Sequence, residues 1–407
     1  MKAGKYLEVA LGIVTSIGGF LEAGSIATSA QAGAGFGYQL LWPIALGTLC
    51  VICLIEMSGR LAAMSHHPVP AAVRDRFGFA FFVVPLAAET IVDYLVLASE
   101  IGGASLGLQL LTGVRFQIWA FPVALFAWLL LWNGKFSVIE YGVSVLGLIT
   151  VVFVVAAIKA HPDWASVANG FLPTLPRHQK STYWFLAVSI LGATISPYLF
   201  NFYSSGAVED KWDEDHLTAN RITAGAGMGF GGLVSAGVLV AAGAVLFPRH
   251  IEFKSYEQIV LLATYPLGKV GYYLVAAGLF IACFGAALEL SLDTSYVYAQ
   301  GFGWNWGENQ RPHDATRFST VYTVMVFAAC VPIVLGLDPL KLTMYSMAIT
   351  ALILPLVVFP FLVLMNDPHY VGEHRNGRVG NWIVFLVIIG ASVIALVSIP
   401  LAIAGGQ

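Results

Sequence analysis

Glu22 lies in the apolar run "FLEAGSIATSAQAGAGFGYQLLW", from Phe20 to Trp42, two residues ahead of Gly24. A carboxylate in hydrocarbon costs roughly 2.5–3.5 kcal/mol on insertion scales, so it calls for a cation, a proton or a basic partner. Glu89, Asp93 and Glu100 stand in a second apolar run at offsets of 0, +4 and +11. On an α-helix these fall within about 40° of one another, on one face. Glu289 and Asp293 form an i,i+4 pair in a third run, and Glu140 stands near the start of another. The apolar runs hold almost no Lys or Arg to pair with these acids. Acids without bases in a low dielectric favour the neutral form and suit the carriage of protons or cations. The competing reading is a scaffold of acids that tie neighbouring helices together. The shortage of bases favours a proton or coupling-ion pathway through Glu89, Asp93, Glu100, Glu289 and Asp293.

Acids so placed need elements that cross a bilayer, and the composition supplies them. Of 407 residues, 58% are hydrophobic and 11% charged, where soluble domains carry about 25% charged residues. Apolar runs of about 20 residues, enough to cross the hydrocarbon core, recur from end to end. Hydropathy predicts eleven spans, near residues 7–33, 40–63, 78–111, 117–133, 136–158, 182–206, 222–247, 258–300, 316–337, 341–366 and 380–404. The third and eighth are long enough to tilt or run into the interface. The fold class is all-α and polytopic, an integral cell-membrane protein with the lipid bilayer as partner. Lys2 and Lys5, with the small residues Ala27 to Ala30, imitate a signal peptide. The apolar character continues past them, so the run reads as the first span.

Several function classes drop out. A net charge of -3 argues against a nucleic-acid partner. Cys50, Cys53, Cys283 and Cys330 all lie in apolar runs and read as packing residues. The nine histidines fall in loops or at span ends, and H-E-x-x-H does not occur. No phosphate-cradling loop follows a strand. The chain reads as no enzyme, with no cofactor. Its other partner is a small ion or small-molecule substrate. Oligomeric state is not legible, and a monomer is compatible with the sequence.

Two spans are interrupted. Gly24 breaks the first beside Glu22. Pro197 falls midway in the sixth, in "LGATISPYLFNFYSS", where it removes a backbone donor and clashes with the preceding turn. Spans 1–5 and 6–10 then form two halves, each opening on a broken helix. That placement points to an inverted-repeat transporter with its site at the midplane. Unwound backbone at that depth exposes carbonyls and is tolerated where it lines a cavity. The halves share no residue-level similarity, so the repeat rests on placement. Residues 1–160 read as the first repeat, 182–366 as the second and 380–404 as an extra C-terminal helix, all within one transmembrane unit. Lys and Arg divide twelve to eight between the two sides. This positive-inside bias puts the N-terminus in the cytoplasm and the C-terminus outside.

"EAGSIATSAQAGAGFGYQLLW" resembles the first-helix signature of the NRAMP family of divalent metal transporters, D-P-G-N-x-A-T running on to F-G-Y-x-L-L-W. "GATISPYLF" resembles that family's sixth-helix signature, G-A-T-V-M-P-H. "SGRLAAMSHHPVPAAVRDRFG", "SEIGGASLGLQLLTG", "PDWASVANGFLPTLP" and "LPLVVFPF" agree in order and spacing, so the resemblance covers nearly the whole chain. It implies a LeuT-type inverted repeat (5+5) plus an eleventh helix, with helices 1 and 6 unwound at mid-membrane and alternating access as the mode of transport.

The departures fall on the site that the resemblance implies. Glu22 stands where the family has its ligand Asp, Ala23 where it has Pro and Ser25 where it has Asn. Ser196 replaces the ligand Met, and Tyr198 the His after the proline. The family's backbone-carbonyl ligand maps to Ala193, and a helix 10 Gln maps to Met347. Glu100 aligns with a proton-relay acid of the third helix. Glu22, Ser25, Ser196 and the Ala193 carbonyl make an all-oxygen metal set, suited to a hard divalent cation of magnesium or manganese type. Related magnesium transporters also lack the Met but keep D-P-G-N, so this chain lies further out. Two readings of the cargo follow. The first is a hard cation moved by a proton-coupled secondary transporter. The second is a small organic solute on the same frame, its amine meeting Glu22, coupled to protons or a monovalent cation. A membrane enzyme or sensor is disfavoured, because no nucleophile or metal constellation accompanies the broken helices.

Overall fold

In the computed structural model the described residues are 22–133, 142, 145–174, 176, 179–308 and 310–403. Among them the regular structure is entirely helical. The long helices are α1 (Ala23–Phe36), α2 (Leu41–Ser65), α3 (Phe79–Thr112), α4 (Phe116–Asn133), α5 (Val151–Lys159) and α6 (Lys180–Thr194). They continue as α7 (Pro197–Glu209), α8 (Leu217–Val245), α9 (Leu261–Phe302), α10 (Thr316–Val334), α11 (Pro339–Leu364) and α12 (Arg378–Ile403). With α6 and α7 taken together, nine helices among the described residues are long and apolar enough to cross a membrane. Residues 145–159 form a shorter apolar helix. The early parts of the first and fifth spans, and Glu140 with them, lie outside the described residues. The protein is an integral, multi-pass membrane protein.

The expected break in the sixth span is present. α6 ends at Thr194, Ile195 and Ser196 leave helical geometry (φ/ψ −112/65° and −85/130°), and α7 begins on Pro197. Proline is tolerated at this first helical position because its missing N–H would be unsatisfied there anyway. The eighth span carries a break of its own. Gly268, at φ 66° and ψ −151°, interrupts α9 near its start. That sign of φ favours glycine.

The core forms where small residues let helices close on one another. α3 and α9 pack along much of their length. A Cβ on Gly107 would meet the Phe280 backbone nitrogen at 2.7 Å, and one on Gly103 would meet Cys283 Sγ at 2.6 Å. Gly103-x-x-x-Gly107 thus supplies the close approach that small residues provide in membrane bundles. α1 is enclosed by α6, α8 and α11. α12 lies on α6 and α11 and is the least enclosed of the later spans.

Candidate functional site

Glu22 precedes α1 in extended conformation (φ −121°, ψ 170°) and is 1% exposed. Its carboxylate therefore lies at the end of α1 where backbone N–H groups are left without helical acceptors. The next residue is held at both its N–H and its C=O. Ala23 N–H donates to both carboxylate oxygens of Glu100 at 3.0 Å. Ala23 C=O accepts from Tyr256 OH at 3.1 Å, and that hydroxyl lies 2.9 Å from Thr343 Oγ1. Glu100 also accepts from the Cys283 thiol. A fully buried carboxyl group thus sits on the N-terminus of α1, anchored from α3 and α9.

Glu22 Oε2 accepts from Tyr198 OH at 3.1 Å, linking the start of α1 to the start of α7. Glu22 Oε1 is buried and has no hydrogen-bond partner. Glu289 is an electrostatic neighbour of both Glu22 and Tyr198. Ser25 Oγ accepts from Glu22 N–H at 3.3 Å and donates to Glu22 C=O at 3.1 Å, so its hydroxyl turns to local backbone. Ser196 and Ala193 are buried on either side of the α6–α7 junction. In an unbroken helix the Ala193 carbonyl would accept from residue 197, which is Pro197 and has no N–H to give.

The remaining acids gather elsewhere. Asn201 Nδ2 donates to Glu89 Oε1 at 3.1 Å, and Thr294 Oγ1 donates to Asp93 Oδ2 at 3.2 Å. Asp293 lies in the field of both Asp93 and Glu89. Asp293 Oδ1 and Asn201 Oδ1 are buried without partners. Glu100 is seven residues, about 10 Å, along α3 from Asp93. The acids therefore form two groups stacked along α3 and α9: Glu22, Glu100 and Glu289 in one, Glu89, Asp93 and Asp293 in the other. Among the described residues no ion pair reaches any of them. Thr294 of α9 ties Asp93 of α3 to the helix that carries Asp293. Asn201 was missed, although one amide in the apolar run "YLFNF" was a usable signal. Among the described residues no three His, Cys, Asp or Glu side chains converge closely enough to hold a metal ion. A cation here would draw on backbone carbonyls and other side chains as well as Glu22.

The sequence pattern of a family described as natural resistance-associated macrophage protein-like matches residues 12–400. The chain belongs to that family. One NRAMP relative is the divalent metal cation transporter MntH of Deinococcus radiodurans. It is 27% identical over 396 residues, covering 93% of this chain and 86% of its own. The Eremococcus coleocola manganese transporter shares the fold at a TM-score of 0.80 and 21% identity, covering 96% of this chain and 85% of its own. MhsT, solved in complex with L-phenylalanine, superposes at a TM-score of 0.65 and 14% identity, with 96% and 97% covered. The fold of this NRAMP protein is thus the LeuT-type frame, with the sixth span opened at Ile195 and Ser196.

Proposed function

We propose that the chain is a secondary active transporter of a divalent cation, held at mid-membrane between the breaks of the first and sixth spans. The supporting observation is Glu22 Oε1, a buried carboxylate oxygen without a hydrogen-bond partner. It lies beside unwound backbone in a family whose members include divalent metal transporters. Glu22 is the anionic ligand in this reading. The Ala193 carbonyl, freed by Pro197, and the Ser196 region close the site from the other break, with Tyr198 steadying Glu22. The Ser25 hydroxyl, bonded to Glu22 backbone, contributes only if it turns. Glu100 and Glu289 beside the cargo, with Glu89, Asp93 and Asp293 beyond, form the proton route of a symporter. Residues 1–160 and 182–366 act as the two repeats that move against each other, and 380–404 stands apart. In this reading the N-terminus is cytoplasmic and the C-terminus external, which the Lys and Arg distribution supports.

Manganese uptake into liposomes tests the assignment. Glu22→Gln keeps the size and the bond to Tyr198 but removes the charge. A folded Glu22→Gln protein loses uptake, and Glu22→Asp retains part of it. Wild-type uptake in Glu22→Gln, or no uptake of any divalent cation by the wild type, overturns the reading.

A further inference from the structure

We infer that Met347 supplies a thioether ligand to the cargo, which shifts the site's preference away from the hard cations magnesium and calcium toward softer divalent cations such as cadmium. The inference rests on the proposed cation-transport reading and names the cargo class more closely.

Met347 is fully buried on α11. A Cβ built on Gly24 would lie 2.5 Å from Met347 Sδ, 2.7 Å from its Cε and 3.0 Å from Glu22 Oε1. The sulfur and the unpartnered carboxylate oxygen thus crowd the same point at the start of α1. Their separation is at most the sum of the two distances from that point. An ion with ligand bonds of about 2–2.6 Å spans most of that range. Gly192, one residue before Ala193, is the second element of the arrangement. A Cβ there would collide with the Met347 carbonyl oxygen. Gly24 on α1 and Gly192 on α6 therefore both make room for the same methionine, its backbone against α6 and its side chain against α1.

An apolar filler would need only volume at this position. Thioether sulfur is a soft ligand, poorly matched to magnesium or calcium and better matched to softer ions. The sulfur that the family resemblance places on the sixth span is Ser196 here, so α11 returns one from the opposite side. The oxygen-only set read from the sequence becomes a mixed sulfur–oxygen set.

The test is uptake of manganese, cadmium and magnesium into liposomes by wild type, Met347→Leu and Met347→Gln. Leucine keeps the bulk without sulfur, and glutamine offers an amide oxygen. In both variants the ratio of cadmium to magnesium uptake falls several-fold, and Met347→Gln retains manganese uptake. Isothermal titration of cadmium on each purified variant gives the same ordering without transport. If the wild type takes up no cation, the transport reading fails. If the wild type takes up manganese but Met347→Leu and Met347→Gln keep its cadmium preference, Met347 is no ligand and only this inference is lost.

Discussion

At the scale of single residues, Glu100 has two duties in the structure. It anchors Ala23 N–H through both oxygens at the start of α1, and it is a titratable group buried beside Glu22. Glu100→Gln keeps one acceptor and removes the titrating group. Acidification of the liposome lumen during metal uptake is expected to disappear in that variant while cation binding by titration survives. Unchanged proton flux would remove Glu100 from the coupling route. Residues of this kind were legible in the sequence because a carboxylate in an apolar run has no cheap explanation. Cys283 and Tyr256 were not legible as neighbours of the site, and Met347 stood there only through the family resemblance. A sulfur or a tyrosine in an apolar run has a sufficient explanation in packing, and only the packing of α9, α11 and the turn Tyr256–Val260 against α1 brings them to Ala23 and Gly24.

At the scale of elements, the sixth-span break follows from one residue. Pro197 withdraws a donor from Ala193 and starts a new helix, so position and consequence were both readable. The break at Gly268 was not, because a single glycine in a long apolar run is compatible with an unbroken helix. Close approach is also invisible in one dimension, and Gly192 shows it. Its missing Cβ faces backbone on α11, which cannot rotate out of the way as a side chain would. Gly192→Ala should therefore lower the melting temperature of the purified protein, in line with overpacking penalties of about 1–3 kcal/mol. Gly225→Ala on α8 meets open space. It should hold or raise the melting temperature, since alanine in a helix interior is favoured over glycine by roughly 0.5–1 kcal/mol. Equal behaviour of the two variants would show that the α6–α11 contact is looser than described.

At the scale of the whole molecule, the two stacked acid groups lie on helices that must move relative to α1 if the cargo is to leave on both sides. Cys283 reports on that movement. Its thiol is fully buried, donates to Glu100 and lies close to Ala23, so in this conformation water-borne reagents are kept from it. In a protein with Cys50, Cys53 and Cys330 replaced by alanine, Cys283 is the single remaining thiol. A membrane-impermeant methanethiosulfonate reagent, supplied outside or trapped inside liposomes, can reach it only when the Glu22 region opens to that face. Alternating access predicts slow modification from both sides, because each opening is a minor state of the same equilibrium. Saturating manganese should slow modification from either side by filling the space beside Glu22. Because thiol reactivity depends on both access and thiolate content, the comparison must be made at one pH and between sides, not between residues. Modification from one face alone, unaffected by manganese, would mean that α1 and α9 do not exchange access across the bundle and that the acids along α3 serve a fixed scaffold.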